Sequence, residues 1–206
     1  FQPGAARSNG IGLNMFSEDE LQQVHLATLD VLWNIGVKVE SDKAVDIFHA
    51  GGCSIDSAGR IVKIPAWLVE DAIRSAPPTF RACGRNPDKD YVCEKDRTGF
   101  VNFGEAPQML DLETRKLRTP LQKDVDEATR LMDALEEIIV FERPLTPSDM
   151  DQEIVCLYNT KAFYQHCTKH GYIGINSVEN LRTCYAMGCA VAGGEVAFRQ
   201  RPTFST

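Results

Sequence analysis

Three short runs in this sequence carry residue types that could hold a cation or position a reacting group: Phe103-Gly104-Glu105, Phe141-Glu142-Arg143, and Tyr172 with Gly174 and Asn176. Aromatic faces and carboxylates both attract a positive charge, the first through the ring quadrupole and the second directly. The Asn176 amide adds donors and an acceptor. Each residue also has a plainer reading. Phe103 and Phe141 suit a core, Glu142-Arg143 a surface ion pair, and Asn176 a helix cap. The candidate binding set is Phe103, Glu105, Phe141, Tyr172 and Asn176, and no catalytic residue is assigned.

Histidines and cysteines add little to that set. The seven cysteines are odd in number, and their spacing fits neither a disulfide framework nor a zinc ribbon. Reduced thiols among apolar neighbours are expected, which points to the cytoplasm. His166, Cys167 and His170 cluster, yet lack a carboxylate or second cysteine at ligand spacing, so no metal site is expected. His25 reads as the edge of a core helix.

The bulk properties narrow the class. The chain has 206 residues, 43% apolar and 25% charged, as in an ordinary globular protein. A net charge of −7 argues against a nucleic-acid partner, which would need a basic surface. No apolar run approaches the roughly 20 residues of a membrane span. The first residue is Phe1 and no signal-peptide pattern follows, so a trimmed N-terminus is expected.

The elements that must position the candidate residues come in two styles. Residues 1–15 read as an arm that docks on a neighbour in a homo-oligomer. Ser17 and Glu20 then form a capping box for a helix carrying Leu21, Val24, Leu29, Leu32 and Ile35, stapled by Phe16 on Leu21 and ended by Gly36. A second helix follows Ser41. A strand at 60–64 leads to a third helix opened by Pro65 and closed by Pro77-Pro78. Extended pieces at 79–83 and 91–94 complete an α+β section over residues 1–98.

From Gly99 the pattern becomes β-α-β-α-β-α-β, with strands starting near 99, 138, 172 and 203. Thr119-Pro120 and Thr146-Pro147 both look like helix starts. Asn176 with Glu179 looks like a third. Gly193-Gly194 should end or kink that last helix, and a hairpin is expected at 110–118. Strands and helices alternating at about 30 residues per unit imply a parallel sheet covered by helices. A doubly wound sheet and part of a barrel both fit, although the chain shows no G-x-G-x-x-G.

Residues 21–87 carry a further signal: L-x-x-V-H-x-x-T-L-x-V-L-x-x-I-G-V-x-V, then A-V-x-I-F-x-x-G-G-C-S-I-D, then R-I-V-K-I-P-A-W-L-V-E-D-A-I-R-S-A-P-P-T-F-R-A-C-G-R-N-P. With the hairpin at 110–118, Ala192-Gly193-Gly194-Glu195 and Arg201-Pro202, this resembles the N-terminal part of the trimethylamine methyltransferase family. The resemblance implies an α/β fold, with residues 99–206 as the first four strands of a partial (β/α)8 TIM barrel whose C-terminal half is absent from this chain. It implies methyl transfer from trimethylamine, or a quaternary amine such as glycine betaine, to the cobalt of a corrinoid (cobalamin) carried by a partner corrinoid protein. Pyrrolysine, where the family uses it, belongs to the later half and does not fall within residues 1–206. A fully methylated nitrogen donates no strong hydrogen bond, so the aromatic and acidic set above is the kind it needs. The fragment alone is expected to be inactive. The alternatives are a non-catalytic binding or scaffold domain for betaine-like ligands and a metal-assisted barrel hydrolase. The hydrolase lacks histidines at strand ends.

Overall fold

The computed structural model describes residues 15–56, 58, 60–94 and 97–206. Two compact units emerge, one over Gly10–Pro78 and one centred on Thr79–Thr206. Residues 79–98, which the sequence pattern groups with the first section, cluster with the second unit. The arm expected at residues 1–15 lies outside the described residues except for Met15. Among the described residues no helix is long and apolar enough to cross a membrane.

The smaller unit begins with α1 (Glu18–Asp30). Ser17 caps it: the Glu20 N–H donates to Ser17 Oγ at 3.3 Å and the Ser17 N–H donates to Glu20 Oε2 at 2.7 Å. The helix widens into a π turn over Val31–Ile35 and stops at Gly36, whose φ is 78°. Only glycine fits there, since a Cβ would stand 2.6 Å from the Val62 carbonyl oxygen. β1 (Val37–Lys38), α2 (Asp42–Ala50), β2 (Ser54–Asp56), β3 (Ile61–Lys63) and α3 (Ala66–Ser75) follow. The strands form an antiparallel sheet in the order β1-β3-β2 around the buried Val62. His25 Nε2 meets Glu70 Oε1 at 2.7 Å and ties α1 to α3, a structural use of that ring. The apolar stripe on α1 is less buried than its spacing suggests. Leu29 is covered, whereas Phe16, Leu21, Val24 and Ile35 are exposed.

The larger unit opens with an antiparallel pair, β4 (Phe80–Ala82) and β5 (Tyr91–Cys93). β6 (Phe100–Val101) comes next, then the hairpin β7 (Met109–Leu110) and β8 (Leu117–Arg118). α4 (Gln122–Ala134), β9 (Ile138–Glu142), α5 (Val155–His166), β10 (His170–Tyr172), α6 (Val178–Ala192), α7 (Glu195–Gln200) and β11 (Phe204–Ser205) complete the unit. β6, β9, β10 and β11 form one sheet in spatial order β11-β10-β9-β6, and every pairing in it is parallel. Helices cross between successive neighbouring strands, as parallel pairing requires. The protein is a mixed α/β fold with a parallel sheet.

Phe141, Phe163, Tyr164, Cys167 and Ile173 form the main core between sheet and helices, with Met132, Met187 and Phe204 packed against it. Burying each large ring contributes roughly 1.5–3 kcal/mol. Gly171 faces the Phe163 ring, so its neighbours His170 and Tyr172 project from the opposite face of the sheet. Gly193, at φ 83°, ends α6.

Three boundaries differ from the sequence pattern, each for a visible reason. α4 starts after Leu121 rather than Thr119. The Asp124 carboxylate accepts the Leu121 N–H at 2.7 Å, and Pro120 stays outside the helix, its carbonyl accepting the Ser148 N–H at 2.9 Å. α5 starts at Val155 and not near Thr146, because the 146–149 run serves α4 instead. Its Asp149 Oδ1 accepts the Gln122 N–H at 2.9 Å, capping α4 from outside. β10 lies two residues earlier than expected, so His170 is in the strand itself.

Helix ends are closed by basic side chains from elsewhere in the unit. Lys169 Nζ donates to the Met132 and Leu135 carbonyls at the end of α4, at 2.7 and 2.5 Å. Arg85 donates to the Tyr164 and Cys167 carbonyls at the end of α5, at 2.8 and 3.0 Å. These carbonyls have no partner within their own helix.

Candidate functional site

The C-terminal ends of β6, β9 and β10 converge on an open hollow of about 390 Å³, lined in part by Glu105, Arg143, Gln152, Cys156, Gly174 and Asn176. Parallel strands bring these residues together because each strand ends on the same edge of the sheet. Past Val101 the ladder continues through a side chain. Asn102 Nδ2 donates to the Glu142 carbonyl at 2.6 Å, and Asn102 Oδ1 accepts the Glu142 N–H at 2.9 Å. Gly104 keeps room for Glu142, whose carboxylate oxygen would lie 2.4 Å from any Cβ there.

Glu105 follows at φ 61°, an uncommon conformation for a side-chain-bearing residue. Its N–H donates to the Arg143 carbonyl at 2.8 Å. Its carboxylate pairs with the Arg143 guanidinium. Arg143 is only 11% exposed while Glu105 is 45% exposed, so the acid faces the hollow and the base lies behind it. Burial pushes Arg143 below its ordinary value, and the nearby Cys156 and Cys184 sulfurs oppose that shift. Arg143 Nε is buried without a hydrogen-bond partner. Gly174 makes space for this guanidinium, since a Cβ would stand 2.8 Å from Arg143 Nη2.

Asn176 stands on the same wall. Its Oδ1 accepts from Asn180 Nδ2 at 2.8 Å and lies 3.7 Å from Cys156 Sγ, while its Nδ2 donates to the Glu153 carbonyl at 3.5 Å. The cap of α6 is Ser177, whose Oγ accepts the Asn180 N–H at 3.1 Å, so the capping role expected of Asn176 falls to its neighbour.

Of the five sequence candidates, the structure brings Glu105 and Asn176 together at the hollow. Phe103 is 93% exposed and Tyr172 47% exposed. Phe141 is on the helix side of the sheet, stacked on Phe163 at 5.4 Å between ring centroids. Arg143 was legible as a strand-end residue, but the ion pair expected with Glu142 is made with Glu105 instead. Asn102, Gln152 and Cys156 carry no sequence signal that marks them. Among the described residues no group of three histidine, cysteine or acidic side chains is placed to hold a metal. His170 spends its ring on the Cys83 carbonyl and Ser205 Oγ, at 3.0 and 3.1 Å.

Fold and site together define a mixed α/β protein with a polar, charge-paired hollow at the strand ends. Comparison with known proteins narrows this further. The trimethylamine methyltransferase family matches residues 5–206. A trimethylamine methyltransferase of Desulfitobacterium hafniense is 41% identical over 204 residues, which cover 99% of this chain and 41% of that protein. One from Methanosarcina acetivorans is 31% identical over 210 residues, covering 96% of this chain and 41% of the relative. A glycine betaine methyltransferase of Desulfitobacterium hafniense is 30% identical over 109 residues, 53% of this chain and 22% of the relative. The chain belongs to the trimethylamine methyltransferase family. It spans about two-fifths (41%) of the length of the first two relatives.

Proposed function

We propose that this chain is the N-terminal part of a methyltransferase that moves a methyl group from a methylated amine to the cobalt of a corrinoid protein. On this reading the four parallel strands open a (β/α)8 barrel, and the hollow at their C-terminal ends is one side of its mouth, where barrel enzymes act. The observation that carries the proposal is the family match along residues 5–206, with relatives named for trimethylamine and for glycine betaine.

The residues present suit a small amine. Glu105 offers a carboxylate to an ammonium that cannot donate a strong hydrogen bond, and Arg143 fixes that carboxylate in place. Asn176 supplies an amide on the same wall. The exposed Phe103 and Tyr172 are the aromatic faces available to cover a bound methylammonium. On this reading the corrinoid is a second substrate, presented by its own carrier protein, and the contribution of these residues is orientation and exclusion of water.

The test uses full-length protein with the reduced corrinoid protein and trimethylamine, glycine betaine and related amines, followed by visible absorbance. Methylation of cobalt with at least one amine is expected. No spectral change with any of them would remove the proposal.

A further inference from the structure

β9 and β10 place an acid and a ring side by side on the face of the sheet away from the helices. Glu142 pairs in register with Tyr172, one residue beyond the pair of Phe141 and Gly171. Phe141 and Gly171 turn to the helix side, where both meet the Phe163 ring. Alternation therefore sends Glu142 and Tyr172 to the other face, on strands about 5 Å apart. Ser205 continues the row beyond Tyr172, and His170 lies below with its ring on Ser205 Oγ. His170 is buried whereas Tyr172 is 47% exposed, so this face opens toward the C-terminal strand ends.

Glu142 is half-buried, and among the described residues its carboxylate makes no hydrogen bond or ion pair. Its backbone is fixed, since Asn102 clasps both its N–H and its carbonyl. Gly104 leaves the space that the carboxylate occupies. Arg143, the base next to it in the chain, is taken by Glu105. That pair sums to zero charge, and a neutral pair attracts a cation far less than a lone carboxylate does. A methylated ammonium is held by net charge and by ring faces, because it has no strong donor. Glu142 has the first and Tyr172 the second.

We infer that Glu142 is a second acidic binding residue of the amine site, adding the net negative charge that the Glu105–Arg143 pair lacks. The methylated ammonium rests between its carboxylate and the Tyr172 ring. The assignment rests on the methyl-transfer reading above for the identity of the substrate, while the ammonium site itself stands on the register of β9 and β10. The amine then sits over the helix-free face of the sheet, which on that reading is the inside of the barrel.

The test titrates full-length protein by calorimetry with choline, and with its uncharged analogue in which a quaternary carbon replaces the nitrogen. Choline should bind the parent more tightly than the analogue. Glu142→Gln should weaken choline about tenfold and leave the analogue unchanged, whereas a merely structural role would weaken both alike. Glu142→Asp, which keeps the charge, should retain most of the choline affinity. Tyr172→Leu, at an exposed side chain that the fold does not need, should weaken choline again. Choline affinity unchanged in Glu142→Gln or in Tyr172→Leu, an equal loss of both ligands, or a parent with no preference for choline would each overturn the inference. Choline binding that depends on Glu142, without cobalt methylation by any amine, would instead remove the methyl-transfer reading and leave the ammonium site standing.

Discussion

Gly171 lies flat against the Phe163 ring: a Cβ on residue 171 would stand 2.8 Å from the ring carbon Cζ. β10 is thereby drawn onto α5, and the register that brings Gly174 and Asn176 to the hollow follows from it. Gly171→Ala should therefore force the fully buried ring aside. The expected loss is about 1–3 kcal/mol, typical of an overpacked core, read as a lower denaturation midpoint. An unchanged midpoint would mean that the ring has room to yield.

Glu105→Gln keeps the shape of the side chain and removes its charge. If Glu105 holds the ammonium, KM for the amine in the full-length enzyme should rise about tenfold, the loss of roughly 1.4 kcal/mol of binding. Steady-state cobalt methylation at varied amine concentration measures it. An unchanged KM would leave Glu105 with only a structural role.

Burial sets a pH limit at the alkaline end. It pushes the Tyr164 phenol up to about 12 and the Cys167 thiol up to about 12, from ordinary values of 10.0 and 9.0. Both groups are raised in the folded state, so their contribution is complete below the unfolded values. It should decline as pH climbs from about 9 toward 12. Denaturation midpoints across that window test the linkage, and Tyr164→Phe should make the decline shallower. The latest-titrating tyrosine should also vanish from the ultraviolet titration of that variant.

The β7–β8 hairpin depends on one arginine. Arg118 reaches Asp124 through both terminal nitrogens, at 2.7 and 2.8 Å, and Asp111 through Nε at 2.9 Å. Hydrogen bonds from Arg118 and the Leu121 N–H hold Asp124 below the usual carboxylate range despite its burial. Arg118→Met should lower stability at neutral pH and expose the hairpin to proteolysis. Because a depressed carboxylate stabilises above its unfolded value, the difference from the parent should shrink as pH falls below about 4. Limited proteolysis with midpoints at neutral and acidic pH checks both parts.

Much of this fold is legible in the residues. The capping box of Ser17 and Glu20, the stop at Gly36, and the parallel order of strands near 99, 138, 172 and 203 all follow from local chemistry. Misreadings arise where a local signal serves a distant partner. Thr146-Pro147-Ser148-Asp149 looks like the start of its own helix, yet its polar groups cap and brace α4. The site was legible to the extent that strand ends were. Glu105 and Asn176 followed from that, whereas Phe141 did not, because period-two alternation alone cannot say which face of a strand meets helices. Arg143 was visible but mispaired, since its true partner comes from a neighbouring strand end.

The borrowed closures at Lys169 and Arg85 have a consequence for assembly. α4 cannot finish its last turn until the chain entering β10 arrives, and α5 waits on a residue made far earlier. Each helix is thus completed by another stretch of the polypeptide, like staves hooped by their neighbours. Fraying at one seam should loosen the next, and the larger unit should come apart all at once rather than helix by helix.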